Sequence, residues 1–319
     1  MEPLCLSQVD GFLVGQAEDR AARTGCTAVL TPAGATASVF TPGFAPGSRE
    51  TEMLRPDSAP QVLHGLLLAG GSAFGLAAAA GLVRFLREGG FGLATGAIRV
   101  PLVAGAVIYD YPGNLSGGQK PDEALGYEAA RTAGRAPLTG GPVGAGLSAR
   151  SGKLAGADLS SPSGLGSCGL AKDGLQLAAL AVVNPLGSII DPESGAILSG
   201  VRRADGQLAD RREILGLLSN SAGRLTADQG GQTVLVAVGT NARLDKLGAF
   251  RLARMASAGI ARAVYPAHLL YDGDTVFALT SNTGPEVELN WLGALAADVV
   301  SRAIADSVRS VRGADFGTP

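Results

Sequence analysis

Histidine and cysteine are almost missing. The 319-residue chain holds two histidines, His64 and His268, and three cysteines, Cys5, Cys26 and Cys168. A zinc centre made from these side chains would consume nearly all of them, and no CxxC, HxxxH or HExxH spacing occurs. Three scattered cysteines do not make a disulfide framework, which fits a reducing compartment. Charge is also sparse: 17% of residues are Asp, Glu, Lys or Arg, and the formal net charge is −2. A near-neutral chain has no overall field to attract nucleic acid or an anionic membrane. No apolar run reaches the ~18 residues of a membrane span. The nearest, Leu66–Val83, is broken by Gly70, Gly71, Ser72, Gly75 and Gly81. The N-terminal stretch MEPLCLSQVDGFLVG carries Glu2 and Asp10 and lacks a basic segment, so no signal peptide is expected. The expectation is a cytoplasmic protein that needs no cofactor and no metal, and that has neither nucleic-acid nor membrane partners.

Apolar residues make up 46% of the chain, enough for a large core and too many for general disorder. Glycine is abundant, at 47 residues without a collagen-like period, which suggests tight loops and close backbone approach. Val9–Ala17, Cys26–Leu30 and Thr36–Phe40 read as strands, and the proline-rich stretch Thr41–Pro60 reads as a loop. Gln61–Ala69 is a buried segment that turns at Gly70-Gly71-Ser72 into a helix from Ala73 to about Glu88, with Ser72 as its cap. Val100–Tyr109 reads as a strand, Glu123–Ala133 as a helix, and Thr139–Gly169 as a glycine- and serine-rich loop system. Leu175–Val183 is a strand ending at Asn184-Pro185, and residues 191–232 are polar and read as exposed and flexible. Thr233 opens the β-prone run TVLVAVGTNA, as expected of a central strand. Lys246–Val264 is an amphipathic helix with Leu247, Phe250, Met255 and Ile260 on its apolar side. Asp272-Gly273-Asp274 leads into the strand Thr275–Leu279, and a long helix runs from Leu289 to about Val311. This mixed order, with no repeat and no linker, indicates one α+β layered domain over residues 1–319.

Common nucleotide and hydrolase signatures are absent. Gly152-Lys153 lacks the preceding glycine of a phosphate loop, and GGPVGAG at 140–146 is not G-x-G-x-x-G. Gly71-Ser72-Ala73-Phe74-Gly75 has the wrong spacing for a nucleophile elbow. Its helix start could instead hold an anionic group or polarise a carbonyl, which makes Gly71 and Ser72 candidate substrate-binding residues. Thr233 follows a polar loop ending Asp228-Gln229-Gly230-Gly231-Gln232. A threonine hydroxyl needs a base. A cut between Gln232 and Thr233 would free an α-amine beside that hydroxyl, with an ordinary pKa of about 8. The plain alternative is a β-branched residue beginning a strand.

Eight segments bear on these readings: GFLVGQAEDRAARTGCTAVL (11–30), APGSRETEMLRP (45–56), LLAGGSAFGLAAAAGLVRFL (67–86), GPVGAG (141–146), SGKL (151–154), AVVNPLG (181–187), TVLVAVGTNA (233–242) and YDGDTVFAL (271–279). In this order the chain resembles the P1-type peptidases. That group includes the L-aminopeptidase/D-esterases, the β-aminopeptidases and the nylon-oligomer (6-aminohexanoate) endo-hydrolases, and the threonine, lysine and DGD pattern is most similar to the last branch. The resemblance implies a four-layer αββα sandwich of the N-terminal-nucleophile-like type. It implies self-cleavage at 232/233 into chains 1–232 and 233–319, which stay together as a heterodimer and assemble further into a homo-oligomer. It implies Thr233 as nucleophile, Asn184 and Lys153 at the developing oxyanion, and Asp272 and Asp274 as the acidic pair. The implied substrates are small peptides or ω-amino-acid oligomers. The same broad fold includes the ornithine acetyltransferase type, so acyl transfer is the alternative chemistry, and an uncleaved binding protein is a third reading. Gln232 departs from the asparagine common before the cut in the threonine branch.

Overall fold

The computed structural model describes residues 2–110, 120–220 and 232–311. The main strands and helices, in chain order, are β1 (Leu13–Asp19), β2 (Thr24–Phe40), β3 (Leu63–Ala69), α1 (Ala79–Glu88), β4 (Val103–Val107), α2 (Glu123–Arg131), β5 (Leu165–Lys172), β6 (Leu175–Asn184), α3 (Arg211–Asn220), β7 (Thr233–Thr240), α4 (Lys246–Ala256), α5 (Ala258–Ala263), β8 (Thr275–Thr280) and α6 (Leu289–Arg309).

Two sheets share the long strand β2. Its second half, Thr36–Phe40, pairs antiparallel with β8, which runs parallel to β7; β6 and β5 continue that sheet antiparallel. Its first half, Thr24–Leu30, lies between β1 and β3, and β4 runs parallel to β3. Cys26–Leu30 and Thr36–Phe40 are therefore one strand, although the sequence reads as two. Pro32-Ala33-Gly34 falls at a register irregularity between Leu30 and Ala35, where Gly34 takes a left-handed φ of 89°, and the strand continues on both sides of it.

Side-chain alternation builds the layers. Along β6, Leu177, Ala179, Ala181 and Val183 face the core under α4, α5 and α6, whereas Ala178, Leu180 and Val182 enter the space between the sheets. On β7, Val234, Val236 and Val238 take the helix side, and Leu235 and Ala237 the inter-sheet side. On β3, Leu66 and Leu68 face the other sheet, and Leu67 and Ala69 face α1 and α2. The result is the expected α–β–β–α order. Phe277 of β8 is buried between the sheets, where truncation to alanine would cost about 3–5 kcal/mol. Glycine permits the close contacts: a Cβ on Gly81 would stand 2.2 Å from Glu123 O, and one on Gly126 would stand 1.9 Å from Ala78 O, so α1 and α2 touch backbone to backbone.

Several local expectations change. Gly71, not Ser72, caps the helical turn Ser72–Gly75; Ser72 is its first residue, with left-handed φ of 52° and no side-chain capping bond. The segment expected to be exposed and flexible contains a strand, Ile197–Ser199, and α3, with Val201, Ala209 and Ile214 buried against Leu154 and Leu186. Residues 221–231 of that segment lie outside the described residues. The predicted Lys246–Val264 helix is two helices, and its buried side carries Ala249, Leu252, Ala253 and Ala256 while Leu247 is exposed. Lys246 is instead buried, because its ammonium donates to the carbonyls of Met53, Ser58 and Pro60. No helix among the described residues is long and apolar enough to cross a membrane.

Candidate active site

The antiparallel register of β6 and β7 places Asn184 directly opposite Thr233. Because β8 is parallel to β7, its first residues reach the same edge. Gln232 and Asp272 form an isolated parallel bridge there, and Gly273 N donates to Gln232 O at 2.8 Å. Thr233 Oγ1 donates to that same carbonyl at 2.5 Å. The peptide carbonyl preceding Thr233 thus accepts from both the hydroxyl and an amide. Gly273 is required by space: a Cβ there would lie 2.7 Å from Thr233 Oγ1 and 2.8 Å from Ala45 O.

Lys153 arrives from another loop. Gly152, left-handed at φ 73°, and Lys153 donate their amides to Gly187 O and Leu186 O, pinning the turn to the segment after β6. The buried Lys153 ammonium donates to Asn184 O and Oδ1, each at 2.8 Å. Asn184 Oδ1 also accepts Arg150 N at 3.0 Å, and its Nδ2 donates to Tyr109 O at 2.8 Å. The amide is therefore oriented from both ends. Burial pulls the Lys153 ammonium down to about 7, against the opposing pull of Asp272 and Asp110.

The two acidic residues occupy different settings. Asp274 Oδ1 accepts Val234 N at 2.8 Å, and its Oδ2 lies 2.7 Å from His268 Nδ1. Asp272 Oδ2 accepts Leu269 N at 2.6 Å, while its buried Oδ1 has no hydrogen-bond partner among the described residues. Burial first, and the neighbouring Asp274 charge second, push the Asp272 carboxyl up to about 7. The pair offers one fully engaged carboxylate and one group able to hold a proton at neutral pH.

All five residues expected from sequence, Thr233, Asn184, Lys153, Asp272 and Asp274, are buried and joined by bonds or register at this one edge. Gly71 and Ser72 sit one step away. Gly71 N donates to Asp110 Oδ1 at 2.7 Å and Ser72 N to Ile108 O at 2.9 Å, while the half-buried Ser72 side chain has no bond to Thr233. Asp110 escaped the sequence reading. It is buried beside Thr24 and Gly70, its carboxyl is raised by burial, and its charge is felt by Lys153. A lone aspartate in the segment after β4 follows no spacing rule. His268 escaped as well, though it stands six residues before Asp274. Among the described residues no cluster of three or more His, Cys, Asp or Glu could hold a metal ion.

The chain is 37% identical over 304 residues to an uncharacterized aminopeptidase of Mycobacterium tuberculosis, covering 89% of this chain and 85% of that one. It is 31% identical over 313 residues to a 6-aminohexanoate-oligomer endohydrolase of Kocuria sp., covering 94% and 84%. Its fold is similar to that of a Burkholderia sp. β-aminopeptidase, with TM-score 0.68, 21% identity, and 96% and 86% of the two chains covered. It is likewise similar to the L-aminopeptidase D-Ala-esterase/amidase of Ochrobactrum anthropi, described as a variant of the Ntn hydrolase fold, with TM-score 0.67, 17% identity and the same coverage. The layered sandwich is the fold of these aminopeptidases. Residues 5–315 match peptidase family S58, and the chain belongs to that family. It is a hydrolase of amide or peptide bonds, as the sequence resemblance implied.

Proposed function

We propose that this hydrolase is a single-domain, self-processing enzyme with an N-terminal threonine nucleophile, cut between Gln232 and Thr233. The supporting observation is that the Thr233 hydroxyl is hydrogen-bonded to the carbonyl of that very peptide, which Gly273 N also holds. In the first step Thr233 Oγ bonds to the Gln232 carbonyl carbon and gives up its proton. The C–N bond then breaks, and the nitrogen takes a proton to become the α-amine. Water hydrolyses the resulting ester, leaving a carboxylate on Gln232 and restoring the hydroxyl. Residues 1–232 and 233–319 stay together, because β7 remains hydrogen-bonded between β6 and β8.

In turnover the α-amine accepts the Oγ proton, Oγ attacks a substrate amide, and the amine product leaves with a proton. Water then releases the acid. Gly273 N and the Asn184 amide are the assigned oxyanion donors, worth about 3 kcal/mol each in comparable sites. Lys153 positions Asn184. Asp274 anchors the strand beside the nucleophile, and Asp272 supplies and recovers protons. The substrates proposed are small peptides or ω-amino-acid oligomers. Similarity to 6-aminohexanoate-oligomer endohydrolases favours the latter. The cleaved pair is the proposed unit of a homo-oligomer.

The test is release of primary amine from linear 6-aminohexanoate oligomers and from amino-acid amides by the wild type, Thr233→Ser and Thr233→Ala. Thr233→Ser is expected to retain measurable activity and Thr233→Ala none. Hydrolysis by Thr233→Ala at the wild-type rate would remove this residue from the mechanism.

A further inference from the structure

His268 belongs to no part of the reaction described so far, yet it is tied directly to its acidic pair. Its backbone is left-handed, with φ 56°, a conformation that costs a residue with a Cβ about 1 kcal/mol or more and that clusters at functional sites. This conformation accompanies an imidazole whose Nδ1 lies 2.7 Å from Asp274 Oδ2. Asp274 is almost fully buried, whereas the imidazole is 24% exposed, so the pair bridges the interior and the surface. An ionised carboxylate only accepts, so toward an ionised Asp274 the ring nitrogen has to be the donor. With Val234 N on Oδ1, both oxygens of Asp274 are then satisfied as an anion. Asp272, two residues away, has one backbone donor and one buried oxygen without a partner among the described residues. The two carboxyl groups repel as anions, and the donors are unequally shared between them.

We propose that His268 is a positioning residue of this site: its imidazole holds Asp274 as the ionised member of the acidic pair and thereby leaves the shared proton on Asp272. This inference rests on the reading of the site given above and assigns its proton. The other charged or titratable groups facing the pair are Lys153 from its loop and, beyond Lys153, Asp110 from the segment after β4. The Thr233 α-amine joins them after cleavage. Removing a donor from an anion raises the pH at which that anion forms. Loss of the imidazole therefore moves the first ionisation of the coupled pair upward and blurs which carboxyl carries the proton.

Two substitutions separate this role from support of the loop. His268→Gly accepts the left-handed backbone but removes the donor. His268→Asn also tolerates that backbone and places an amide N–H near the position of Nδ1. The expected result, per cleaved molecule counted by intact mass, is a fall in kcat of at least about tenfold for His268→Gly, with KM changed less than about threefold. The acidic limb of its kcat–pH profile moves to higher pH. His268→Asn restores kcat to within about threefold and returns the limb toward its wild-type position. Wild-type kcat and pH profile in His268→Gly would overturn the inference, as would a folded His268→Asn that restores neither. If His268→Gly is insoluble, His268→Gln, which carries its amide beyond Nδ1, is read in the same way. Thr233→Ala is assayed in parallel. If it is inactive while His268→Gly is normal, only the role of His268 fails; if it is active, the reading of the site itself fails.

Discussion

Asn184 and Thr233 are the terminal pair of the β6–β7 antiparallel ladder. Both continue the alternation that sends Leu180, Val182, Leu235 and Ala237 into the space between the sheets. A slip of one residue would send one of the two to the helix side, so the strand core that stabilises the sandwich also fixes this pair. Lys153 completes the arrangement by bonding both oxygens of Asn184.

Lys153→Met tests that completion. The substitution keeps much of the buried volume and removes two of the bonds that hold Asn184. Amide hydrolysis is expected to fall about 100-fold or more, the scale of losing an oriented oxyanion donor, with the fold retained by circular dichroism. An unchanged kcat would mean that Asn184 needs no such support.

Gly273→Ala tests the space around the proposed nucleophile. Its Cβ would lie 2.7 Å from Thr233 Oγ1 and 2.8 Å from a backbone oxygen, so the hydroxyl must move. Self-cleavage is expected to slow about 100-fold, because small displacements of reacting atoms have large kinetic effects. The measurement is the time course of chain splitting on a denaturing gel after synthesis in a cell-free system. Splitting at the wild-type rate would place the attack elsewhere.

Asp272 makes stability depend on pH. An ordinary aspartate ionises near 3.8, whereas here burial and Asp274 raise it to about 7. Between these values the unfolded chain has released its proton and the folded chain still holds it. Stability therefore falls as pH rises through this window and stays lower above it. Asp272→Asn removes the slope. In a Thr233→Ala background, expected to keep one chain, the melting temperature of Asp272→Asn relative to its parent should climb from pH 4 to pH 7 and then level off. A constant difference across that range would contradict the raised carboxyl.

Much of the fold was legible because two-residue alternation and long β-prone runs survive in the final packing: TVLVAVGT is β7, and LQLAALAVVN is β6. The errors lie where tertiary contacts override local pattern. Pro32 suggests a break in β2, yet pairing on both sides holds the strand together. Leu247 fits the helical stripe but faces outward, while Lys246 is buried because three carbonyls wait for it. The helix Arg211–Asn220 was hidden in a polar stretch, and among its described side chains only Ile214 is fully buried. At the site, Thr233, Asn184, Lys153 and the two aspartates stand inside short segments that a family resemblance can match. Asp110 and His268 do not: each meets the site only in the folded chain, Asp110 by its charge on Lys153 and His268 by its contact with Asp274.

The most direct measurement is the intact mass of the purified wild-type protein beside that of Thr233→Ala. The account predicts two components for the wild type, with masses of residues 1–232 and 233–319 and a free threonine at the start of the smaller one. It predicts a single full-length component for the variant. An active wild-type enzyme that remains one uncut chain, or a Thr233→Ala protein that still divides at the same bond, would contradict it.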